Sequence, residues 1–220
     1  RSRDTPRVIF FRKVDESMLQ ILVRHGESVS NTEGRVQGQE DVALSQLGEA
    51  QAKALAQWSV KQFSKTREAI DEIWSSPLIR AQCTAVRIAE ALGLPLSIDE
   101  RLSELHAGIF QGHLWVDLEK KFPKALALWR EGTMDYAIPG GESRAQLAER
   151  GCQVLESLAS RAANRMIIVA HGGILTAALG RLVGKAHPLL ASCAERPFTK
   201  LPALANCSVS FLEWPGPSLL

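Results

Sequence analysis

The chain has 220 residues, enough for one domain with a sizeable core. A net charge of +2 gives no reason to expect nucleic acid or an acidic membrane as partner, and no apolar run approaches the length of a membrane span. Cys83, Cys152, Cys193 and Cys207 are scattered with no Cys-x-x-Cys pair, which reads as free thiols of a cytoplasmic protein rather than a disulfide frame or zinc site.

Residues 1–18 are basic, with a small apolar patch at Val8 to Phe11 and without the apolar region and cleavage site of a secretory signal. They read as an N-terminal extension, disordered or an edge strand, ahead of a domain spanning 19–220. Leu19 to Val23 is an apolar run, expected as a short buried strand. Val29 to Ala43, rich in Gly, Gln, Asn and Asp, is expected as a loop. Ser45 then caps a helix whose apolar face is Leu47, Ala50, Ala54, Leu55 and Trp58. Ile70 to Ser75 is a second strand, broken by Ser76-Pro77. A helix from Leu78 to Leu92 is stopped by Gly93 and Pro95. Leu94 to Ile98 is a third short strand. From about 105 to 141 an aromatic-rich segment with Phe110, Trp115, Phe122, Trp129 and Tyr136 is expected as a small helical cap over the sheet end. Ser143 to Gln146 fits a capping box for a helix reaching about Ala162. Met166 to Ala170 is a strand with a helix directly behind it, and Val209 to Leu212 is the last strand. Strands alternating with helices predict an α/β fold, three layers deep, with a mostly parallel central sheet.

Two strands end alike, in Val23-Arg24-His25-Gly26 and Val169-Ala170-His171-Gly172. In open α/β sheets ligands bind beyond the carboxyl ends of the strands, so parallel neighbours would bring both imidazoles to one edge. His171-Gly172-Gly173 also opens a helix, whose amides and dipole favour an anion. Arg80, in the first helical turn after the second strand, is disfavoured there by the dipole unless it faces an anion, and its planar fork suits phosphate.

From Leu19 to Trp214 these residues resemble the histidine phosphatase superfamily, also called phosphoglycerate mutase-like. The resemblance is carried by Arg24-His25-Gly26-Glu27-Ser28 with Asn31, by Gly34-Arg35-Val36-Gln37-Gly38 through Gly48 and Gln51, and by Ser76-Pro77-Leu78 with Arg80-Ala81 and Thr84. Glu104 with Gly108 and Gly112, Pro139-Gly140-Gly141-Glu142-Ser143 and Ala170-His171-Gly172-Gly173 complete an ordered and specific set. The resemblance implies His25 as nucleophile and phosphohistidine, with Arg24, Arg80 and His171 on the phosphoryl oxygens. It implies Glu104 as proton donor to the leaving alcohol and later base for water. Asn31, Gln37 and the Gly172 amide are implied near the phosphate, and Asn206 with them. His171 is expected as a cation. Gln111 stands where many phosphatase members carry Glu, and His106 and His113 flank the acid as loop residues.

No cofactor and no metal are implied, and the sequence offers no carboxylate-rich cluster for magnesium. The partner is a small-molecule phosphomonoester, with no nucleic acid and no membrane, and a homodimer is allowed. The short segment from Leu105 to Pro139 resembles the phosphatase branch. A 2,3-bisphosphoglycerate-dependent phosphoglycerate mutase is the second reading, and a catalytically inactive protein-binding module on the same fold the third. The aromatic cap suggests a substrate with an apolar part.

Overall fold

The computed structural model describes residues 17–63, 69–186 and 204–214, the last four of the second stretch by backbone alone. Residues 1–16 of the expected extension and Cys193 lie outside the described residues. Met18, expected ahead of the first strand, is instead its first residue.

Strand β1 (Met18–Arg24) lies inside a five-stranded sheet with β2 (Glu72–Ser75), β3 (Leu96–Ile98), β4 (Arg165–Ala170) and β5 (Val209–Trp214), in the order β3-β2-β4-β1-β5. All neighbours are parallel except β5, which runs antiparallel along β1. Strands β1 and β4 are near-continuous apolar runs because both of their faces are covered. Leu22, Met166, Ile168 and Ala170 face one layer, α6 (Arg144–Ala159) and α7 (Gly172–Ala186). Ile21, Val23, Ile167 and Val169 face the other, α2 (Gln46–Phe63) and α3 (Ile79–Leu92). The period of two along each strand thus builds two cores, one on each side. Helix α3 stops where expected, at Gly93, whose φ of 69° places it in the left-handed region suited to glycine.

Two expectations change. Within Val29 to Ala43, read as loop, residues Val29–Glu33 form a short helix, α1. Ser28 accepts from the Asn31 amide while the Asn31 side chain accepts from the Ser28 amide, a reciprocal cap that holds five residues helical. In α2, Leu47, Ala50 and Ala54 are exposed; the buried face is Gly48, Ala52, Leu55, Ala56, Ser59 and Phe63. Close approach rather than side-chain size selects that face. A Cβ on Gly48 would stand 1.9 Å from the Glu27 carbonyl oxygen, and one on Gly26 would stand 2.7 Å from the Gly48 oxygen.

The aromatic segment folds as expected into two short helices, α4 (Leu118–Lys121) and α5 (Pro123–Arg130), preceded by single turns at Gly108–Phe110 and Trp115–Asp117. It has a core of its own, with Phe110, Leu118, Leu126 and Ile138 fully buried. Helix α6 opens on the expected capping box, Ser143 with Gln146, and ends at Ala159, short of the expected Ala162.

Candidate active site

The register of β1 on β4 sets Arg24 opposite Ala170, so His25 and His171 leave the sheet side by side. The His25 amide donates to the Ala170 carbonyl at 3.0 Å, and the two imidazole centroids are 5.0 Å apart. His25 is 2 % exposed and His171 0 %. The Nδ1 of His25 lies 2.6 Å from the Gly26 carbonyl oxygen. A carbonyl only accepts, so Nδ1 carries the proton and Nε2 keeps its lone pair. Burial, then the cations Arg80 and Arg24, push His25 down to about 3, against the partial restraint of the Gly26 bond. The imidazole is therefore neutral at ordinary pH.

His171 departs from the expected cation. Burial, then Arg80, His25, Arg24 and Arg150, hold it well below its ordinary value, so in the free protein it is neutral. Its Nε2 lies 2.7 Å from the Ser76 hydroxyl, which also accepts from the Leu78 amide at 3.3 Å. The Ser76 proton is then free to go to Nε2, and the His171 proton sits on Nδ1, a buried atom with no hydrogen-bond partner.

Arg80 is no solvated surface arginine: it is 1 % exposed. Its Nη1 donates to the Glu40 carbonyl at 2.7 Å and its Nη2 to Gly38 at 2.8 Å. Burial pushes it down to about 10, which leaves it charged at neutral pH. Arg24 donates from Nη1 to the Leu204 carbonyl. The Nε of each arginine is buried without a partner. Two cations, each with an unspent donor, thus line one pocket with His25, which is what an oxyanion needs.

Glu104 occupies the place expected of the anion at α7. Its carboxylate accepts from the amides of Gly173 at 2.8 Å, Ile174 at 3.0 Å and Leu105 at 2.8 Å. Gly172 itself packs against the Arg24 side chain. The pocket, about 250 Å³, brings together Arg24, His25, Arg80 and Glu104, with Asn31 and Gln37 on its side. Asn206 stands behind it: its Nδ2 donates to the His25 carbonyl at 3.1 Å and to Asn31 Oδ1 at 3.3 Å. His171 closes the group through its contact with His25.

Several residues acquire functions in the site that the sequence reading did not assign. Ser76 sets the His171 tautomer. Thr84 accepts from the Gly26 amide at 3.0 Å and so fixes the turn after β1. Gln111, noted only as a departure from Glu, accepts from the amides of Gln39 and Ala107 and props the loop that Arg80 grips. Arg150 donates to the carbonyls of Arg101, Ser103 and Glu104 and pairs with Glu142, clamping the loop that bears Glu104. Among these, Ser76, Thr84 and Gln111 fell within recognisable blocks and Arg150 did not. His106 accepts from the Gly108 amide and His113 lies against Lys121 and Phe122, both away from the pocket lining. Among the described residues, no group of three or more His, Cys, Asp or Glu is placed to hold a metal, and no helix is long and apolar enough to cross a membrane. Among the described residues, Cys83, Cys152 and Cys207 form no disulfide.

The family model described as histidine phosphatase superfamily, branch 1, matches residues 20–217. The chain belongs to that superfamily. It is 38% identical over 169 residues to a metal-independent phosphoserine phosphatase of Arabidopsis thaliana, covering 75% of this chain and 69% of the relative. It is also 38% identical over 201 residues to a probable phosphoglycerate mutase of Serratia proteamaculans, covering 89% of this chain and 85% of that one. The native structure of a mycobacterial glucosyl-3-phosphoglycerate phosphatase superposes with a TM-score of 0.74 at 32% identity, covering 90% of each chain. This histidine phosphatase is thus a phosphoric monoester hydrolase by family and by relatives, with a mutase among the proteins it resembles.

Proposed function

We propose that this enzyme hydrolyses a small organic phosphomonoester, without metal, through a phosphohistidine on His25. One observation carries the reading: His25 presents a neutral imidazole, its proton fixed on Nδ1 by the Gly26 carbonyl, beside two arginines with unspent donors. Nε2 attacks phosphorus, the P–O ester bond breaks, and the leaving oxygen takes a proton from Glu104. Water then attacks the phosphohistidine, Glu104 takes its proton, the P–N bond breaks, and His25 recovers its lone pair. Arg24 and Arg80 neutralise charge on the equatorial oxygens and the Nδ1–H of His171 donates a hydrogen bond to them, which is most of what phosphoryl transfer asks of a protein. Asn31 and Gln37 are near enough to the same oxygens to orient them, and Asn206 steadies His25 from behind. Glu104 lines the same pocket as His25, and the α7 amides hold its carboxyl group there.

The test uses two variants and a chelator. His25→Ala should abolish turnover in a folded protein. Glu104→Gln should depress turnover of alkyl phosphates strongly and of p-nitrophenyl phosphate less, because nitrophenolate leaves without a proton. Excess chelator should change neither rate. Turnover by folded His25→Ala, or loss on chelation restored by magnesium, would sink the mechanism.

A second reading, the mutase, is favoured by the similarity to the Serratia protein over most of this chain. A mutase must shield the phosphohistidine from water while its substrate reorients. The short segment between Glu104 and Pro139 favours hydrolysis. Supplying 3-phosphoglycerate with catalytic 2,3-bisphosphoglycerate, and comparing free phosphate with 2-phosphoglycerate, separates the two.

A further inference from the structure

Beyond the arginines and His25, the pocket changes character. Its outer wall is Val36, Leu105, Phe110, Trp115, Trp129 and Ile138. Trp115 is 51 % exposed, although the segment that bears it buries Phe110 and Leu118 completely. Trp129 is held from one side: the Arg144 guanidinium lies 3.4 Å from the centre of its ring, and Arg144 is itself only 9 % exposed. A cation on an indole face fixes the ring before any ligand arrives. Among the described residues, the one further cation on the wall is Arg35, whose Nε pairs with Glu33 and whose Nη1 donates to the Gly112 carbonyl at 2.9 Å. Glu104, whose carboxyl oxygens accept from backbone amides, offers an anion no cationic partner on the same wall. Among the described residues, a second anionic group on the substrate would find there only an arginine already paired with Glu33, whereas a flat apolar group would meet two indoles.

We infer that the preferred substrate is a phosphomonoester whose alcohol carries an aromatic or similarly flat apolar group, seated against Trp115 and Trp129, rather than one bearing a carboxylate or second phosphate. The inference rests on the phosphatase reading above and names the substrate class of the same site. A cavity of about 250 Å³ suits one ring beside the phosphate. Trp115 and Trp129 are then specificity residues, and Arg144 a positioning residue that acts through Trp129.

The test compares phosphomonoesters of primary alcohols, so that chemistry at the ester is held nearly constant. The measured quantity is kcat/KM for 2-phenylethyl phosphate, ethyl phosphate, phosphoserine and 3-phosphoglycerate, with p-nitrophenyl phosphate as reference. Wild type should favour 2-phenylethyl phosphate over phosphoserine and 3-phosphoglycerate by about tenfold or more. Trp115→Ala, at a half-exposed position, should cut the ratio of 2-phenylethyl to ethyl phosphate by about tenfold, chiefly through KM. Arg144→Met should cut the same ratio, and Arg144→Lys should restore part of it. Preference for phosphoserine or 3-phosphoglycerate, or a ratio that Trp115→Ala leaves unchanged, overturns the inference while the phosphatase stands. No turnover of any of the five, p-nitrophenyl phosphate included, brings down the phosphatase reading and this one with it.

Discussion

Glu104 closes the N-terminus of α7 in the free protein, and a glycine makes that possible. A Cβ at Gly173 would stand 2.3 Å from Glu104 Oε1 and 3.0 Å from Oε2. The obstacle is the tip of a side chain, so the carboxylate moves and the backbone stays. Gly173→Ala should leave the fold intact and favour α7 by about 0.5–1 kcal/mol through helix propensity. It should also lower kcat for alkyl phosphates by about tenfold while sparing p-nitrophenyl phosphate, because it displaces the proposed acid. Thermal unfolding and the two substrates check this together; equal loss on both would mean that the glycine serves phosphate binding instead. Arg24, His25, Arg80 and His171 were legible because each sits in a local signature at a strand end or a helix start. Ser76, Gln111 and Arg150 act on partners distant in sequence, and only the packed chain discloses what a serine hydroxyl or a guanidinium touches. The neutral His171 of the free protein is not legible for the same reason: burial decides it, and no residue beside it in the sequence reports that burial.

Element boundaries were read well where punctuation is strong, as at Gly93 and at the Ser143 capping box. They were missed where it is weak. Five residues of α1 cannot display a helical period, and its cap uses Asn31 where the usual signature has Glu or Gln. The face of α2 was misjudged because size was taken as the guide. The helix instead turns Gly48 and Ala52 inward to let its backbone meet the turn after His25, and the larger Leu47 is left in solvent. Here the obstacle to a side chain is backbone, which cannot step aside. Gly48→Ala should therefore cost about 3 kcal/mol, at the upper end of overpacking penalties. It should also weaken catalysis in the protein that still folds, since the strain falls on Gly26 and Glu27. Urea unfolding should show a lower midpoint with an unchanged slope. Leu47→Ala, on the exposed side, should change stability by less than about 0.5 kcal/mol. A Leu47 penalty larger than the Gly48 penalty would restore the size-based face.

At the scale of the whole molecule, the three-layer architecture follows from alternation of strands and helices, and both covered faces follow from the near-continuous apolar runs of β1 and β4. The electrostatic consequence does not follow from pattern at all. Placing two imidazoles at adjoining strand ends, buried beside Arg80 and the half-buried Arg24, keeps both neutral in the fold. His25 is held at about 3, and His171 is held well below its ordinary value. The unfolded chain binds protons at both near pH 6.5, and the folded chain does not. The sign follows: stability is complete above the unfolded value and falls as pH drops below it, until the folded value is reached. His25 should then cost about 1.4 kcal/mol per pH unit, or about 2 kcal/mol by pH 5, and His171 adds to the loss in the same direction. Asp99 and Glu72, held low by Arg101 and Arg161, act on the acid side of that window and leave it clear. Urea unfolding from pH 7.5 to pH 5 should therefore show ΔG falling with a slope approaching two protons. His25→Gln should reduce the slope by about one proton, even though it raises no new charge and loses all turnover. A flat ΔG across that range would mean that these imidazoles accept protons in the folded state, and with them would go the neutral nucleophile on which the proposed chemistry depends.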